Sequence, residues 1–196
     1  MRGLNNLFLK ASIIMDITNE IFSYPYWIQN SDRLKYSADI LIERLPVLMN
    51  SSEEKDDYKN YTCKVRSILE TNLLLLGYSI ENLLKGLLIY QFKKNNAFLE
   101  NVSFDFLIKT VWRVKNSHDL LKLARSAKIS LSENEKSLLE KLSKYSTWGG
   151  RYHIPKDSEG IDKVKRPGEG DRHSSSDQKI AKELTLRIKA LITNEQ

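Results

Sequence analysis

A long apolar segment in the middle of the chain constrains the fold more than any other feature. From Leu69 to Leu87, apolar side chains recur every three or four residues, and further leucines fill much of the remaining surface. This spacing is typical of an α-helix, and a helix that is apolar nearly all round is normally surrounded by others. The sequence therefore predicts an all-α, up-and-down helical bundle around a central helix from about residue 54 to about residue 94. Gly77 lies inside that helix and predicts a kink or a close helix contact.

Helices with one apolar face are predicted on both sides of the central helix. A first helix with apolar residues from Leu7 to Ile21 is followed by Pro25 as a stop signal, and Ser31 can cap a second. Later helices are predicted from their apolar repeats and capping residues: one around Leu107–Trp112, one capped by Ser117, one opened by a Ser132–Glu135 capping box, and a last one capped by Ser176 or Asp177.

The length of 196 residues suits one domain. We expect a core at about 54–155, an N-terminal helical extension at 1–50, a loop at 151–175 and a C-terminal helix at 176–194. The single cysteine, Cys63, excludes a disulfide framework and a cysteine-rich metal site. A single cysteine is typical of a reducing compartment. The sequence also has no signal-peptide pattern and no stretch long enough to span a bilayer. We therefore expect a cytoplasmic protein without a membrane segment.

The positive charge of the chain is concentrated in one segment. The net charge of the chain is +6. Residues 85–128 hold nine basic and three acidic side chains, so the net charge of this segment alone is also +6. Such a segment indicates a phosphate-bearing partner such as RNA or a nucleotide. For the charge excess taken alone, solvated helix faces are the favoured explanation, because modest basicity is common.

Glu81 and Lys85 are the first candidate site residues. Both lie one turn apart among the leucines of the central helix, where a carboxylate is unfavourable unless paired. They can form a structural i,i+4 ion pair. Alternatively, Glu81 forms a polar notch in the core that faces His118 or Arg151.

His118 and Asp119 lie at the predicted start of a helix. Asp119 stabilises a helix N-terminus by its charge alone, whereas His118 can exchange a proton near neutral pH. A helix N-terminus also attracts anions, so His118 and Asp119 are both candidate residues of a nucleotide- or RNA-binding site. A histidine packed against the bundle is the simpler alternative.

A third group, Arg151, Tyr152 and His153, follows a double glycine. In an extended segment Arg151 and His153 point to the same side, which places a guanidinium and an imidazole together for a phosphate. Tyr152 and the nearby Trp148 can stack on a base or anchor the loop to the bundle. No residue pattern indicates a metal or another cofactor.

Read together, these stretches resemble the HEPN superfamily of small helical bundles. Its ribonuclease signature, an arginine and a histidine with four to six residues between them, is similar to Arg113–His118 and to Arg166–His173 in the predicted loop. The closer resemblance is to the branch with a histidine–aspartate–leucine helix start, here His118–Leu120, and a late arginine–tyrosine–proline turn, here Arg151–Tyr152. His153 stands where that branch usually has proline.

The resemblance implies recognition of RNA or a nucleotide in a basic groove. It implies that Lys85, His118 and Arg151 contact phosphate, that Glu81 orients one of them, and that Tyr152 packs against base or ribose. It also implies a homodimer and a toxin–antitoxin, stress or phage-defence setting. Two alternatives stay open: a metal-independent endoribonuclease using His118 with Arg113 or Arg151, and a non-catalytic partner of a nucleotidyltransferase.

Overall fold

The structure is a computed structural model that describes residues 22–50, 58–96, 103–113, 118–149 and 174–193. These residues are 89% helical and include no strand, which confirms the predicted all-α class. The elements are α1 (Tyr24–Asn50), α2 (Tyr58–Asn95), α3 (Phe104–Phe106) with a π-helical turn (Leu107–Trp112), α4 (Leu120–Ser126), α5 (Glu133–Lys144) with a π-helical end (Tyr145–Gly149), and α6 (Ser175–Thr193).

Helix α2 is the centre of the bundle, as its apolar residues predict. Leu76, Leu83 and Leu87 are each at most 1% exposed, and α1, α4, α5 and α6 all pack against this helix. The bounds Tyr58–Asn95 agree with the predicted range to within a few residues. The long stripe of leucines therefore organises the core because every neighbouring helix buries its own apolar face against it.

The beginning of α1 differs from the sequence prediction. The helix starts at Tyr24, before the predicted cap Ser31, and Pro25 lies in its first turn. Proline fits there because the first helical N–H groups have no partner within the helix. Ser31 does not cap α1; it is buried mid-helix, where its carbonyl accepts a 2.8 Å hydrogen bond from the Ser79 hydroxyl of α2. The predicted helix around Leu7–Ile21 lies outside the described residues.

The starts of α5 and α4 show which capping predictions are correct. The capping box of Ser132 and Glu135 is present at α5. Burial alone would raise the pKa of Glu135, but hydrogen bonds from Ser132 and the nearby charge of Arg187 outweigh it and lower the pKa. At α4 the cap is Asp119, whose carboxylate accepts from the Lys122 N–H; the predicted cap, Ser117, lies outside the described residues.

The start of α6 corrects another prediction. Neither Ser176 nor Asp177 is the capping residue, because the hydroxyl of Ser174 accepts from the Ser176 N–H at 3.2 Å. Asp177 instead accepts from the Ser174 N–H at 2.8 Å and pairs with Lys141 of α5. This reciprocal arrangement has the logic of a capping box, and the ion pair ties the start of α6 to α5.

Helix α2 also passes a test for membrane-spanning helices. Asn60–Asn95 is long and apolar enough to cross a membrane by length and composition, so the prediction that no stretch reaches that length is wrong. Of its most apolar window, 72% is buried inside the bundle. We therefore assign the apolarity of α2 to the core.

Gly77 confirms the predicted close contact between helices. A Cβ atom at this position would lie 2.2 Å from the buried Ser146 hydroxyl oxygen and 3.2 Å from the Leu142 carbonyl oxygen. We expect Gly77→Ala to lower the free energy of unfolding by about 1–3 kcal/mol, because overpacking outweighs the better helix propensity of alanine. Denaturant unfolding of Gly77→Ala, Ser146→Ala and the double variant tests this. Strictly additive effects would contradict a direct contact.

Helix α4 ends in a Schellman motif with an unusual residue. The Lys128 N–H donates to the Arg125 carbonyl and the Ile129 N–H to the Ala124 carbonyl, while Lys128 itself has a φ of 56°. Glycine is the common residue at this left-handed position. A second non-glycine residue, Arg113, has a φ of 55° at the end of the π-helical turn.

We expect Lys128→Gly to raise the free energy of unfolding by about 0.5–1 kcal/mol, because glycine adopts the left-handed region without strain. The matched control is Lys122→Gly, a right-handed helical position in α4, which is expected to lower it by about 1 kcal/mol. Chemical denaturation measures both. A loss of stability in Lys128→Gly would contradict backbone strain at this residue.

Candidate functional site

Glu81 connects two other candidate residues inside the bundle. Its Oε1 accepts a 2.6 Å hydrogen bond from the Lys85 ammonium, and its Oε2 lies 2.8 Å from His118 Nδ1. Glu81 is only 5% exposed. The two alternatives for Glu81 are thus both realised: it forms the i,i+4 pair with Lys85 and it faces His118. We call Glu81, Lys85 and His118 the charged triad.

Lys85 lies behind the carboxylate and away from solvent. It is 7% exposed, and its ammonium lies 4.7 Å from the Trp112 ring centroid and 5.6 Å from that of Trp27. Aromatic faces stabilise a cation that has lost part of its hydration. In this position Lys85 holds the Glu81 carboxylate and does not extend to a phosphate in solvent.

His118 is the exposed member of the charged triad. Its side chain is 24% exposed, and its ring centroid lies 6.0 Å from that of Tyr78 in a tilted arrangement. Among the described residues, its one hydrogen-bond partner is Glu81. The imidazole therefore keeps Nε2 available for a ligand while Glu81 holds the other ring nitrogen.

The turn that carries His118 is fixed by the residues that follow it. Asp119 Oδ1 accepts from the Lys122 N–H at 2.9 Å, and the Leu120 N–H donates to the Ser143 hydroxyl of α5 at 3.0 Å. Leu120 is fully buried. Asp119, a predicted nucleotide-binding residue, thus uses one carboxylate oxygen to start α4 and thereby to place His118 beside Glu81.

The triad has the arrangement of an oriented acid–base group. A carboxylate that accepts from one imidazole nitrogen selects the tautomer and directs the other nitrogen outward. A buried lysine beside that carboxylate stabilises its negative charge. The site can accept or donate a proton at His118 Nε2, or donate a hydrogen bond there to an anion.

Arg113 does not join the triad. Its Nε donates to the Thr110 carbonyl at 3.1 Å, and its side chain lines a cavity together with Gln91 of α2. Ten residues separate Glu81 from Gln91, which corresponds to about 15 Å along the helix. The spacing of Arg113 and His118 in the sequence therefore does not bring the two side chains together in this structure.

The remaining candidate residues lie outside the described part of the chain. They are Arg151, Tyr152 and His153 of the predicted late motif, and Arg166 and His173 of the second arginine–histidine spacing. Within the ranges that the structure describes, no group of three or more histidine, cysteine, aspartate or glutamate side chains could hold a metal ion.

Sequence reasoning missed the two tryptophans that surround Lys85. Trp27 lies in α1 and Trp112 at the end of the π-helical turn, with ring centroids 5.2 Å apart in an edge-to-face contact. No local pattern relates two residues so far apart in the sequence. Gly86 gave the one usable signal, since a Cβ there would lie 3.1 Å from Trp27 Cβ and only a small residue admits α1 this closely.

Comparisons of the chain with models of known families, with curated proteins and with solved structures return no match.

Proposed function

We propose that this chain is a HEPN-like RNA- or nucleotide-binding protein in which His118 contacts the phosphate group. The observation that carries the proposal is the hydrogen bond between Glu81 Oε2 and His118 Nδ1, with Lys85 on the other carboxylate oxygen. An imidazole fixed in this way presents Nε2 in one direction, and in the protonated ring the Nε2–H donates to a phosphate oxygen while Nδ1–H donates to Glu81.

The net positive charge of the chain segment that contains His118 supports the same ligand class. The basic segment 85–128 includes His118 and contains the start of α4. Positive charge raises the local concentration of a polyanion and stabilises its complex by counterion release. The segment of the chain that contains the partly exposed His118 is thus basic, which favours RNA over a neutral ligand.

The test is the affinity for a short labelled single-stranded RNA, measured by fluorescence anisotropy at fixed ionic strength. We expect His118→Ala to raise Kd about tenfold, the value of one charge-assisted hydrogen bond. The matched control is Lys182→Gln on α6, an exposed residue outside the triad, for which we expect a change of about twofold or less. Equal losses in both variants would show that binding depends on net charge and not on the triad.

A second function, metal-independent RNA cleavage, is favoured by the same Glu81–His118 pair for a different reason. A histidine oriented by a carboxylate is suited to proton transfer as well as to binding. In such a reaction His118 takes the proton of the ribose 2′-OH or gives one to the leaving 5′-oxygen. The 2′-oxygen then bonds to phosphorus as the 5′-oxygen leaves, and the product ends in a 2′,3′-cyclic phosphate.

A further inference from the structure

A concave surface lies toward the C-terminal end of α2, away from the charged triad. It is a cavity of about 630 Å³ between the last turns of α2, the end of the π-helical turn and the end of α4. Gln91, Asn95, Arg113, Ser126 and Lys128 are among its lining residues, and we call it the α2-end cleft. Its volume lies within the range of small-molecule sites.

The charges of the α2-end cleft have one sign. Lys94, Arg113 and Lys128 line it from three different elements, and none of the described lining residues is acidic. Lysines near helix C-termini also compensate the helix dipoles. Arg113 and Lys128 nevertheless carry a further feature that dipole compensation does not require.

Both residues have a left-handed backbone. Arg113 and Lys128 are the two non-glycine residues with positive φ in the described part of the chain, and both line this cleft. Glycine or asparagine would fit these positions with less strain. Residues in sparsely populated backbone regions cluster at functional sites, and both of these residues are cationic and line one cavity.

Amide side chains supply a complementary set of groups. Gln91 donates an N–H to the Ala127 carbonyl at 3.1 Å, and Asn95 donates one to the Gln91 carbonyl at 2.8 Å. The side-chain carbonyl oxygens of these residues can therefore accept from a ligand. Cations for an anionic group and amide oxygens for hydroxyl or amino groups are the combination that a phosphorylated, hydroxyl-bearing molecule needs.

We propose that the α2-end cleft binds a phosphorylated small molecule of mononucleotide size, with Arg113 and Lys128 contacting its phosphate. The site lies about 15 Å along α2 from Glu81, so it uses no residue of the charged triad. The proposal goes beyond RNA recognition at His118, and each of the two can fail without the other.

The experiment is titration calorimetry of the full chain with ATP, inorganic pyrophosphate and adenosine as separate probes. The variants are Arg113→Asn and Lys128→Asn, singly and combined, because asparagine removes the charge and tolerates the left-handed backbone. The matched control is Lys122→Gln, an exposed lysine of α4 that does not line the cleft. Each variant is titrated with and without His118→Ala, which removes the proposed phosphate contact of the triad, and thermal unfolding checks that every variant is folded.

We expect ATP and pyrophosphate to bind and adenosine to bind at least tenfold more weakly. Each asparagine variant is expected to weaken ATP binding about tenfold in the His118→Ala background, where Lys122→Gln changes it by about twofold or less. Tighter binding of ATP than of pyrophosphate supports a nucleotide, and equal binding supports recognition of the phosphate group alone. Absence of binding to both probes, equal losses in Lys122→Gln, or complete loss of ATP binding in the His118→Ala variant with the cleft residues unchanged, would overturn the proposal.

Discussion

Replacing Glu81 with leucine is expected to lower the free energy of unfolding by about 3–5 kcal/mol, because it leaves the Lys85 ammonium buried without its carboxylate. Lys85 is 7% exposed and its ammonium lies beside two tryptophan rings, so water cannot replace the lost partner. The same change removes the group that holds the His118 ring. Equilibrium denaturation with urea measures the effect, with the slope of the transition as a check on two-state unfolding.

Two further variants separate the buried charge from loss of the side chain itself. Glu81→Leu combined with Lys85→Met is expected to recover most of the stability, since an apolar pair of similar volume can replace a buried ion pair. Lys109→Met removes an exposed member of an i,i+4 pair with Asp105, whose partners are 72% and 67% exposed. It is expected to change the free energy of unfolding by less than about 0.5 kcal/mol. An equally small effect of Glu81→Leu would contradict the buried pair.

His118→Ala has the largest expected effect on activity. If His118 transfers protons, the rate of RNA cleavage in EDTA is expected to fall about 10²–10⁴-fold in His118→Ala, the usual contribution of a general acid or base. Stability is expected to change much less than in Glu81→Leu, because His118 is partly exposed and Glu81 keeps Lys85. The assay compares cleavage rates of purified proteins and maps the product ends, which are expected to be 2′,3′-cyclic phosphates in the wild type.

Lys182→Gln serves as the purification control for cleavage, since a contaminating nuclease would act equally in all preparations. Cleavage that survives in His118→Ala would assign the activity to another site or protein. A folded wild-type protein that does not cleave RNA in EDTA would contradict the ribonuclease function, and the binding function would then stand alone.

Much of the fold can be predicted from the sequence because the strongest sequence patterns are local. The position of α2 follows from a repeat of leucines over several turns, and the α5 start follows from one capping box. The start of α1 was mispredicted because proline has two meanings: it ends a helix, and it also fits the first turn of the next one. Only the packing of α1 on α2, with Ser31 against Ser79, shows that the helix begins before Ser31.

The candidate site was predictable in part for the same reason. Glu81 and Lys85 lie one helical turn apart, so their pairing follows from spacing alone. The contact of Glu81 with His118 was one of two predicted alternatives, because it joins residues 37 positions apart. The separation of Arg113 from the triad depends on the path of the chain beyond α2, on which the number of intervening residues gives no information.

The most direct test of the account is the state of the His118 ring with and without RNA. Long-range ¹H–¹⁵N spectra distinguish the two ring nitrogens, and the His118 signals are assigned by their loss in His118→Asn. We predict that the neutral ring carries its proton on Nδ1, that this preference weakens in Glu81→Gln, and that adding short RNA shifts the Nε2 signal. A ring that carries its proton on Nε2, or that is unchanged when RNA saturates the protein, would contradict a carboxylate-oriented histidine as the RNA contact.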